Sequence, residues 1–271
     1  MVRGVEIKTP AQLDAMRRAG HLVGETLELL REAVAPGITT AELDSLAEQH
    51  IRDGGGIPSF KGYAQPPFPA SICASVNDEV VHGIPGARVL VDGDVISIDC
   101  GAIVDGWHGD AAISVAVGAV RPEVGALMEV TEAALWAGIV AGRLGGRVGD
   151  ISAAVEARVR AAGDYGILEG FTGHGIGTRM HQPPDVPNTG RPGRGQKIVR
   201  GLALAIEPMV TLGSPYGVEL DDEWTIATSD GSWSAHYEHT VTWTPDGPWV
   251  LTALDGGQAR LAELGVLCGG R

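Results

Sequence analysis

The chain has 271 residues, of which 44% are hydrophobic and 20% charged, a composition that argues against disorder and fits an enzyme-sized protein of one large or two small domains. Its formal net charge of −14 opposes binding to a phosphate backbone, and the one short basic cluster, residues 191–200, is broken by Gly and Pro and is typical of a solvated loop. Three cysteines without a CxxC pair argue against a disulfide framework or a structural zinc site and favour a reducing compartment.

Two helices are predicted at the start of the chain. Thr9 offers a cap, Pro10 a first helical residue and Gln12 a capping-box partner, and apolar residues then recur at helical spacing through Leu30. A second helix begins at Thr39 or Thr40 and ends at the glycines 54–56. Its predicted buried face consists of Leu43, Leu46, Ala47 and Ile51. An irregular loop is expected over residues 56–69.

The same order of elements then repeats. Short β-rich runs, including residues 95–100 and 111–115, occupy 71–117. Helical patterns follow from Pro122 to about Arg143 and from Asp150 to Ala162, and a last β-rich region covers about 202–251. At an offset of 108, six positions of the second helix and its flanks match positions near the fourth: Gly37, Leu43, Glu48, Ile51, Arg52 and Gly55 on Gly145, Ile151, Glu156, Val159, Arg160 and Gly163. Either two amphipathic helices share these positions by chance, or two α/β halves pack about a pseudo-twofold axis with a site between them.

Two aspartates stand at the inner ends of a predicted hairpin. Asp99 ends one apolar strand, Asp110 opens the next, and Asp105-Gly106 between them is a turn signal. With a turn centred near residues 104 and 105, alternation places the two carboxylates opposite each other on one face. Such a pair is destabilising unless a cation or a shared proton lies between them. The alternative is a pair of solvated aspartates on an exposed face.

Three further residues have the chemistry of metal ligands. His174 lies among glycines in residues 173–177, Glu207 ends the apolar run 203–206, and Glu238 lies in the strand-like stretch 235–240. A carboxylate in an apolar strand is costly to bury without a partner. With the two aspartates they form a set of one imidazole and four carboxylates, which suits Mn, Fe, Co or Zn and can hold two cations about 3.5–4 Å apart.

These stretches resemble the metal-ligand motifs of the methionine aminopeptidases. The resemblance rests on residues 97–101 with Asp110, on 173–177, on 206–209 and on 237–240, and residues 80–85 and 180–181 complete it. It covers nearly the whole chain. The interval of 33 residues from His174 to Glu207 is similar to that of the type I enzymes, and no zinc-finger extension precedes the first helix.

The resemblance implies a "pita-bread" α/β (α+β) fold over residues 1–271, with a central curved antiparallel sheet and pseudo-halves at about 10–118 and 119–252. Asp99 would be a terminal ligand of one divalent cation, His174 and Glu207 would hold a second, and Asp110 and Glu238 would bridge them. Glu207 would also relay the proton of the attacking water. His82 and His181 would face the substrate.

A methionine pocket is expected from Tyr63, Phe68, Cys73 and Trp224, although a small buried core residue is an alternative reading of Cys73. Here the sequence departs from the family pattern, because the loop 62–69 is about two residues longer, Phe68 replaces a frequent tyrosine and Met180 replaces an aromatic residue. The implied activity is removal of the initiator methionine from nascent proteins with a small second residue.

Two other functions compete with this reading. A proline-specific aminopeptidase of the same fold usually has an extra N-terminal domain, for which a first helix beginning by residue 10 leaves no room, and a non-catalytic binding protein of the fold would have lost ligands. The expected protein is a cytoplasmic monomer without nucleic-acid or membrane partners, since residues 1–9 lack the apolar core of a signal peptide and no run of about 18 apolar residues occurs. The metal, the oligomeric state and a ribosome contact are left open by the sequence.

Overall fold

Two pairs of long helices are each followed by strands, which confirms the predicted order. Within residues 4–270, the part that the computed structural model describes, the helices are α1 (Pro10–Ala33), α2 (Thr40–Asp53), α3 (Pro122–Ala141), α4 (Val148–Ala162) and the short α5 (Gln258–Glu263). The outermost residues of the predicted domain, 1–3 and 271, lie outside this description.

The strands form one large antiparallel sheet and two small ones. In chain order they are β1 (Ile57–Pro58), β2 (Ile72–Val76), β3 (Glu79–Val81), β4 (Val95–Val104), β5 (Trp107–Ala116), β6 (Gly166–Ile167), β7 (Gly173–Gly175), β8 (Gln182–Val186), β9 (Ala203–Ile206), β10 (Met209–Thr211), β11 (Gly217–Glu219), β12 (Ile226–Thr228), β13 (Ser234–His236), β14 (Glu238–Thr244) and β15 (Gly247–Val250). The large sheet has the order β1-β4-β5-β14-β9-β7-β8, with β2 beside β4 and β15 beside β14. The small sheets are β13-β10-β6 and β11-β12-β3.

Helix α1 begins with the predicted capping box. The Thr9 side chain accepts a hydrogen bond from the backbone N–H of Gln12, and the Gln12 side chain accepts one from the Thr9 N–H. On α2, Leu43, Ala47 and Ile51 are fully buried as predicted, but the prediction for Leu46 is wrong, because this residue is 39% exposed. The three buried residues are four positions apart in sequence and so form one row along the helix, and only this row packs against the core.

The hairpin β4–β5 corrects the predicted register of the two aspartates. Asp105 and Gly106 both have positive φ and form a two-residue turn, so the strands are longer than predicted. Gly101 pairs with Asp110 and Asp99 with Ala112. The two carboxylates are therefore diagonal neighbours on one face rather than directly opposite, since the turn lies one residue later than expected.

The internal repeat extends beyond the helices. α1 and α3 end 108 residues apart, at Ala33 and Ala141, and α2 and α4 begin at Thr40 and Val148 with the same offset. Two isolated β-bridges, Thr39 with Val89 and Arg147 with Lys197, are likewise 108 residues apart. This agreement supports two related halves over a chance match of helices. We therefore propose one domain built from two related halves.

The core lies between the large sheet and the four long helices. α1 packs on β4 and β5, and α3 packs on α4 and on β9, β10, β13 and β14. Of the helices described, α3 is the one long and apolar enough to span a membrane by length and composition, and half of that stretch is buried in the fold. Its apolar character is therefore accounted for by packing.

Candidate metal centre

Five adjacent strands of the large sheet each bring one predicted metal ligand to the same place. Along the sheet these residues are Asp99 on β4, Asp110 on β5, Glu238 at the start of β14, Glu207 directly after β9 and His174 on β7. Residues 173–175 form a short strand paired with β8 and β9, which fixes the position of His174. The short strands between 166 and 186 were not predicted.

The five side chains converge on one small volume. Asp110, His174 and Glu238 are buried and each place one ligand atom within 4.8 Å of the others. The Nε2 atom of His174 lies 3.4 Å from Oε1 of Glu207 and 3.9 Å from Oδ2 of Asp110. The Nδ1 atom of His174 lies 3.1 Å from the Gly175 carbonyl oxygen. When Nδ1 donates to that carbonyl, the lone pair of Nε2 faces the carboxylates.

Burial raises the pKa of all four carboxyl groups, and neighbouring carboxylates add to the shift in Asp110, Glu207 and Glu238. Burial raises the pKa of Asp99 to about 7, although a hydrogen bond with Asp110 partly opposes the shift. Burial and the nearby Asp99 carboxylate raise the pKa of Glu207 well above its usual value. Burial, reinforced by neighbouring carboxylates, does the same for Asp110 and Glu238. Burial lowers the pKa of His174 to about 3, with His181 adding to the effect, so its imidazole is neutral at neutral pH.

This donor set fits divalent cations. One oxygen each of Asp99, Asp110 and Glu238 is buried without a hydrogen-bond partner. No Lys or Arg lines this cavity within residues 4–270 to compensate the four carboxylates. Buried acidic groups in this arrangement need a counter-charge, and hard oxygen ligands with one imidazole suit first-row divalent ions. Solvated aspartates on an exposed face, the alternative from sequence, are excluded by the burial of Asp110.

The cluster forms the floor of a cavity of about 220 Å³. Two histidines flank it. His181 stacks edge-on to His174 at 4.3 Å between ring centroids, and its Nδ1 lies 2.6 Å from the Tyr63 hydroxyl. His82 lies between Phe171 and Trp224 in a left-handed backbone conformation. Burial lowers the pKa of both histidines, in His82 to about 4 with a further contribution from His181.

An apolar cluster lines the rest of the cavity. It includes the predicted pocket residues Phe68 and Cys73, with Trp224 packed against them, and Phe68 and Trp224 make an edge-to-face contact at 5.1 Å. The structure thus brings all predicted site residues into one cavity: Tyr63, Phe68, Cys73, His82, Asp99, Asp110, His174, His181, Glu207, Trp224 and Glu238.

Sequence reasoning missed several neighbours of the site. Phe60 and Phe171 line the cavity, and Met180, noticed only as a departure from the pattern, is buried there. His236 is buried with an unpartnered Nε2 that lies 4.0 Å from Oε2 of Glu207. Its position two residues before Glu238 is a signal that could have identified it.

The sequence matches known metallopeptidases over most of its length. The model of "Metallopeptidase family M24" matches residues 14–245. Methionine aminopeptidase 1 of Mycobacterium tuberculosis is 52% identical over 92% of this chain and 96% of its own. Methionine aminopeptidase of Clostridium acetobutylicum is 49% identical over 91% of this chain and 98% of its own.

Solved structures give the same result for the fold. The structure of methionine aminopeptidase from Rickettsia prowazekii superposes with a TM-score of 0.88 at 37% identity, covering 92% of this chain and 99% of that one. A Xaa-Pro dipeptidase from Bacillus anthracis has a TM-score of 0.70 at 21% identity, and this chain covers 61% of it. The second likeness is one of fold alone.

Proposed function

The chain belongs to metallopeptidase family M24, and on that premise we propose that it is a methionine aminopeptidase that removes the N-terminal methionine of polypeptides. One observation supports this activity above the others. The floor of a cavity of about 220 Å³, lined elsewhere by apolar side chains, carries four carboxylates and one imidazole. Ligand atoms of Asp110, His174 and Glu238 there lie within 4.8 Å of one another.

Two cations are proposed, with ligands assigned by position in the cluster. Asp99 would be a terminal ligand of one ion, His174 and Glu207 would hold the other, and Asp110 and Glu238 would bridge the two. Asp110 and Glu238 suit a bridging role because they belong to the central strands β5 and β14, with ligands on strands to either side. Divalent ions held there would supply Lewis-acid chemistry, with a place for the free α-amine of the substrate and an activated water for attack on the first peptide bond.

The protein side chains perform the remaining steps. The Glu207 carboxylate accepts the proton of the attacking water and passes it to the leaving amine. We assign the Tyr63 hydroxyl as the donor to Nδ1 of His181, 2.6 Å away. With the pKa of the ring lowered by burial, the proton of the neutral ring then lies on Nε2, where it would hydrogen-bond the scissile amide. His82 faces the same amide from the side of Trp224. Both histidines stabilise charge that develops in the transition state.

The apolar cluster receives the methionine side chain. Phe68, Cys73 and Trp224 line it, with Tyr63 at the rim. Because the metal cluster fixes the scissile carbonyl, the second residue of the substrate must lie against the site wall, so a small side chain fits and a large one clashes. Misplacing the carbonyl by about 1 Å costs about a hundredfold in rate. The N-termini of nascent polypeptides are the proposed partners, and the cytoplasm, a monomeric state and a ribosome contact are parts of the same proposal.

The two rival functions have less support. The likeness to a Xaa-Pro dipeptidase is at 21% identity and concerns the fold alone, whereas methionine aminopeptidases match at 49–52%. A non-catalytic relative has no reason to retain buried carboxylates without partners, and here three of them have an oxygen in that state.

The deciding experiment is a peptide assay after chelation, with Mn, Fe, Co or Zn restored one at a time. Met-Ala, Met-Gly and Met-Ser peptides should release methionine much faster than Met-Leu or Met-Lys peptides. Comparable rates for Met-Ala and Met-Lys contradict the preference for a small second residue. Release of residues next to proline in preference to methionine supports the rival peptidase.

A further inference from the structure

The loop that carries His181 is held from outside the active site. This loop, residues 176–181, connects β7, which bears the metal ligand His174, to β8. The ring contacts of His181 are with Tyr63 and His174. The position of His181 therefore depends strongly on the backbone of its loop.

The N-terminal segment before α1 binds this loop through a cluster of hydrogen bonds. The Glu6 carboxylate accepts from the Thr178 backbone N–H at 3.0 Å, from the Thr178 hydroxyl at 3.1 Å and from Nε2 of Gln182 at 2.7 Å. Both ends of the stretch that contains His181 thus converge on one carboxylate, 172 to 176 residues away in sequence.

Lys8 anchors the start of the same loop. Its side chain is 1% exposed, and its ammonium donates to the carbonyl oxygens of Ile176 and Glu6. The Lys8 backbone N–H donates to the Gly201 carbonyl at 2.8 Å, which ties the segment to the turn before β9. A Cβ atom at Gly177 would lie 2.2 Å from Oε2 of Glu6 and 2.6 Å from Cε of Lys8. The N-terminal segment therefore packs closely against the loop at Gly177.

We propose that Glu6 and Lys8 are positioning residues for the peptidase reaction, because they fix the loop 176–181 and so hold His181 above the metal cluster. The inference rests on the proposed function, in which His181 contacts the scissile amide. Glu6 lies outside the active-site cavity and acts only through the loop. A small displacement of a group that contacts the transition state lowers the reaction rate strongly. Residues that hold the loop from outside the cavity can therefore affect kcat.

The test is a double-mutant cycle on Met-Ala-Ser hydrolysis. Glu6→Ala should lower kcat about tenfold or more, with metal content unchanged, and Glu6→Gln, which keeps the length and one acceptor oxygen, should lie between Ala and wild type. In a His181→Ala background Glu6→Ala should have no further effect on kcat. Thr9→Ala is the matched control, since it removes the cap of α1 and lowers stability without touching the loop. Its kcat should stay at the wild-type value.

A second measurement does not need activity. The Thr178 amide should exchange its hydrogen at least tenfold faster in Glu6→Ala than in wild type or in Thr9→Ala. Unchanged exchange and unchanged kcat in Glu6→Ala overturn the proposal, as does an equal loss of kcat with and without His181. A slow His181→Ala variant beside a normal Glu6→Ala variant rejects the positioning role alone. If His181→Ala is also at the wild-type rate, the proposed role of His181 fails as well.

Discussion

Asp110 is 3% exposed, and among residues 4–270 no cationic side chain lines the cavity that its carboxylate faces. The same cavity floor holds Asp99, Glu207 and Glu238, and the carboxylates of Asp99 and Glu207 add to the upward pKa shifts of neighbouring carboxyl groups. Four buried carboxylates without a compensating charge lower the stability of the folded protein. Cations bound by these four groups, as proposed here, would offset that cost.

The first prediction concerns the bridging ligands. Asp110→Ala should lose both cations and hydrolysis, because the two ions share this carboxylate. Asp105→Asn is a matched control on the same hairpin, where Asp105 is exposed in the turn and Asn tolerates its left-handed conformation. Metal analysis of the purified variants measures the result. Two full equivalents retained by Asp110→Ala would exclude the bridging assignment.

The second prediction separates metal binding from substrate contact. His82→Ala and His181→Ala should each lower kcat by about a hundredfold, the scale of losing one transition-state hydrogen-bond donor. Their metal content should stay near that of wild type, because neither ring belongs to the proposed ligand set. Steady-state kinetics and metal analysis on the same samples test both statements. Loss of metal in His181→Ala would instead make this residue a ligand.

A third prediction concerns pH and Lys8. Burial lowers the pKa of Lys8 to about 8 despite the opposing effect of Glu6, whereas the unfolded chain has its ordinary value of 10.5. Between these values the unfolded state binds more protons, so the Lys8 contribution to the free energy of unfolding rises with pH. The stability of wild type relative to Lys8→Met should increase from pH 8 to 10.5 by up to about 3 kcal/mol. Denaturant unfolding at several pH values measures it, and a constant difference would contradict the burial of a charged Lys8.

Sequence patterns pointed to the candidate ligands because an acid in an apolar strand conflicts with its surroundings. Asp99, Glu207 and Glu238 all stand out for that reason, and the structure brings them together. The pairing of Asp110 was wrong by two residues because the turn conformation at Asp105 and Gly106 decides it. His236 was missed although it stands two residues before Glu238, because its proximity to Glu207 is set by the tertiary packing of β13.

Among the elements, α1 and β5 approach each other closely beside the proposed metal ligand Asp110. A Cβ at Gly109 would lie 2.6 Å from the Gly20 nitrogen and 2.7 Å from its Cα, and one at Gly20 would lie 2.4 Å from the Leu251 carbonyl oxygen. These glycines let the helix backbone rest directly on the sheet. Helix propensity alone would favour another residue at Gly20, so packing overrides propensity here.

The fourth prediction follows from this contact. Gly109→Ala should lower the free energy of unfolding by about 1–3 kcal/mol, because the obstructing atoms are backbone and cannot rotate away. It should also weaken metal binding, since Asp110 is the next residue on the displaced strand. Gly125→Ala is the control, because no atom lies within 4 Å of a Cβ there. Denaturant unfolding and metal titration of both variants decide the matter, and equal stabilities would contradict the close-packing argument.

At the scale of the whole molecule, the metal cluster joins the two repeats. Asp99 and Asp110 come from the first half of the chain, and His174, Glu207 and Glu238 come from the second. The sheet is continuous across this boundary, because β5 pairs with β14. That pairing is short, with Glu238 opposite Ala112 and His239 opposite Ala111. Cations held by ligands from both halves would reinforce the boundary where few backbone pairs cross it.

The last prediction is that removing the cations destabilises the whole fold. Bound ions relieve the repulsion among buried carboxylates and bind only the folded arrangement, so at a concentration of 100 times Kd they add about 2.7 kcal/mol to the free energy of unfolding. For a chain of this size that corresponds to about 5–10 °C in Tm. Chelation of wild type should lower Tm by this amount, and added Mn or Co should restore it. Asp110→Ala should respond to neither treatment, because it lacks the shared carboxylate. A wild-type Tm that is unchanged by a chelator which abolishes hydrolysis would show that the cations serve the reaction without holding the two halves together.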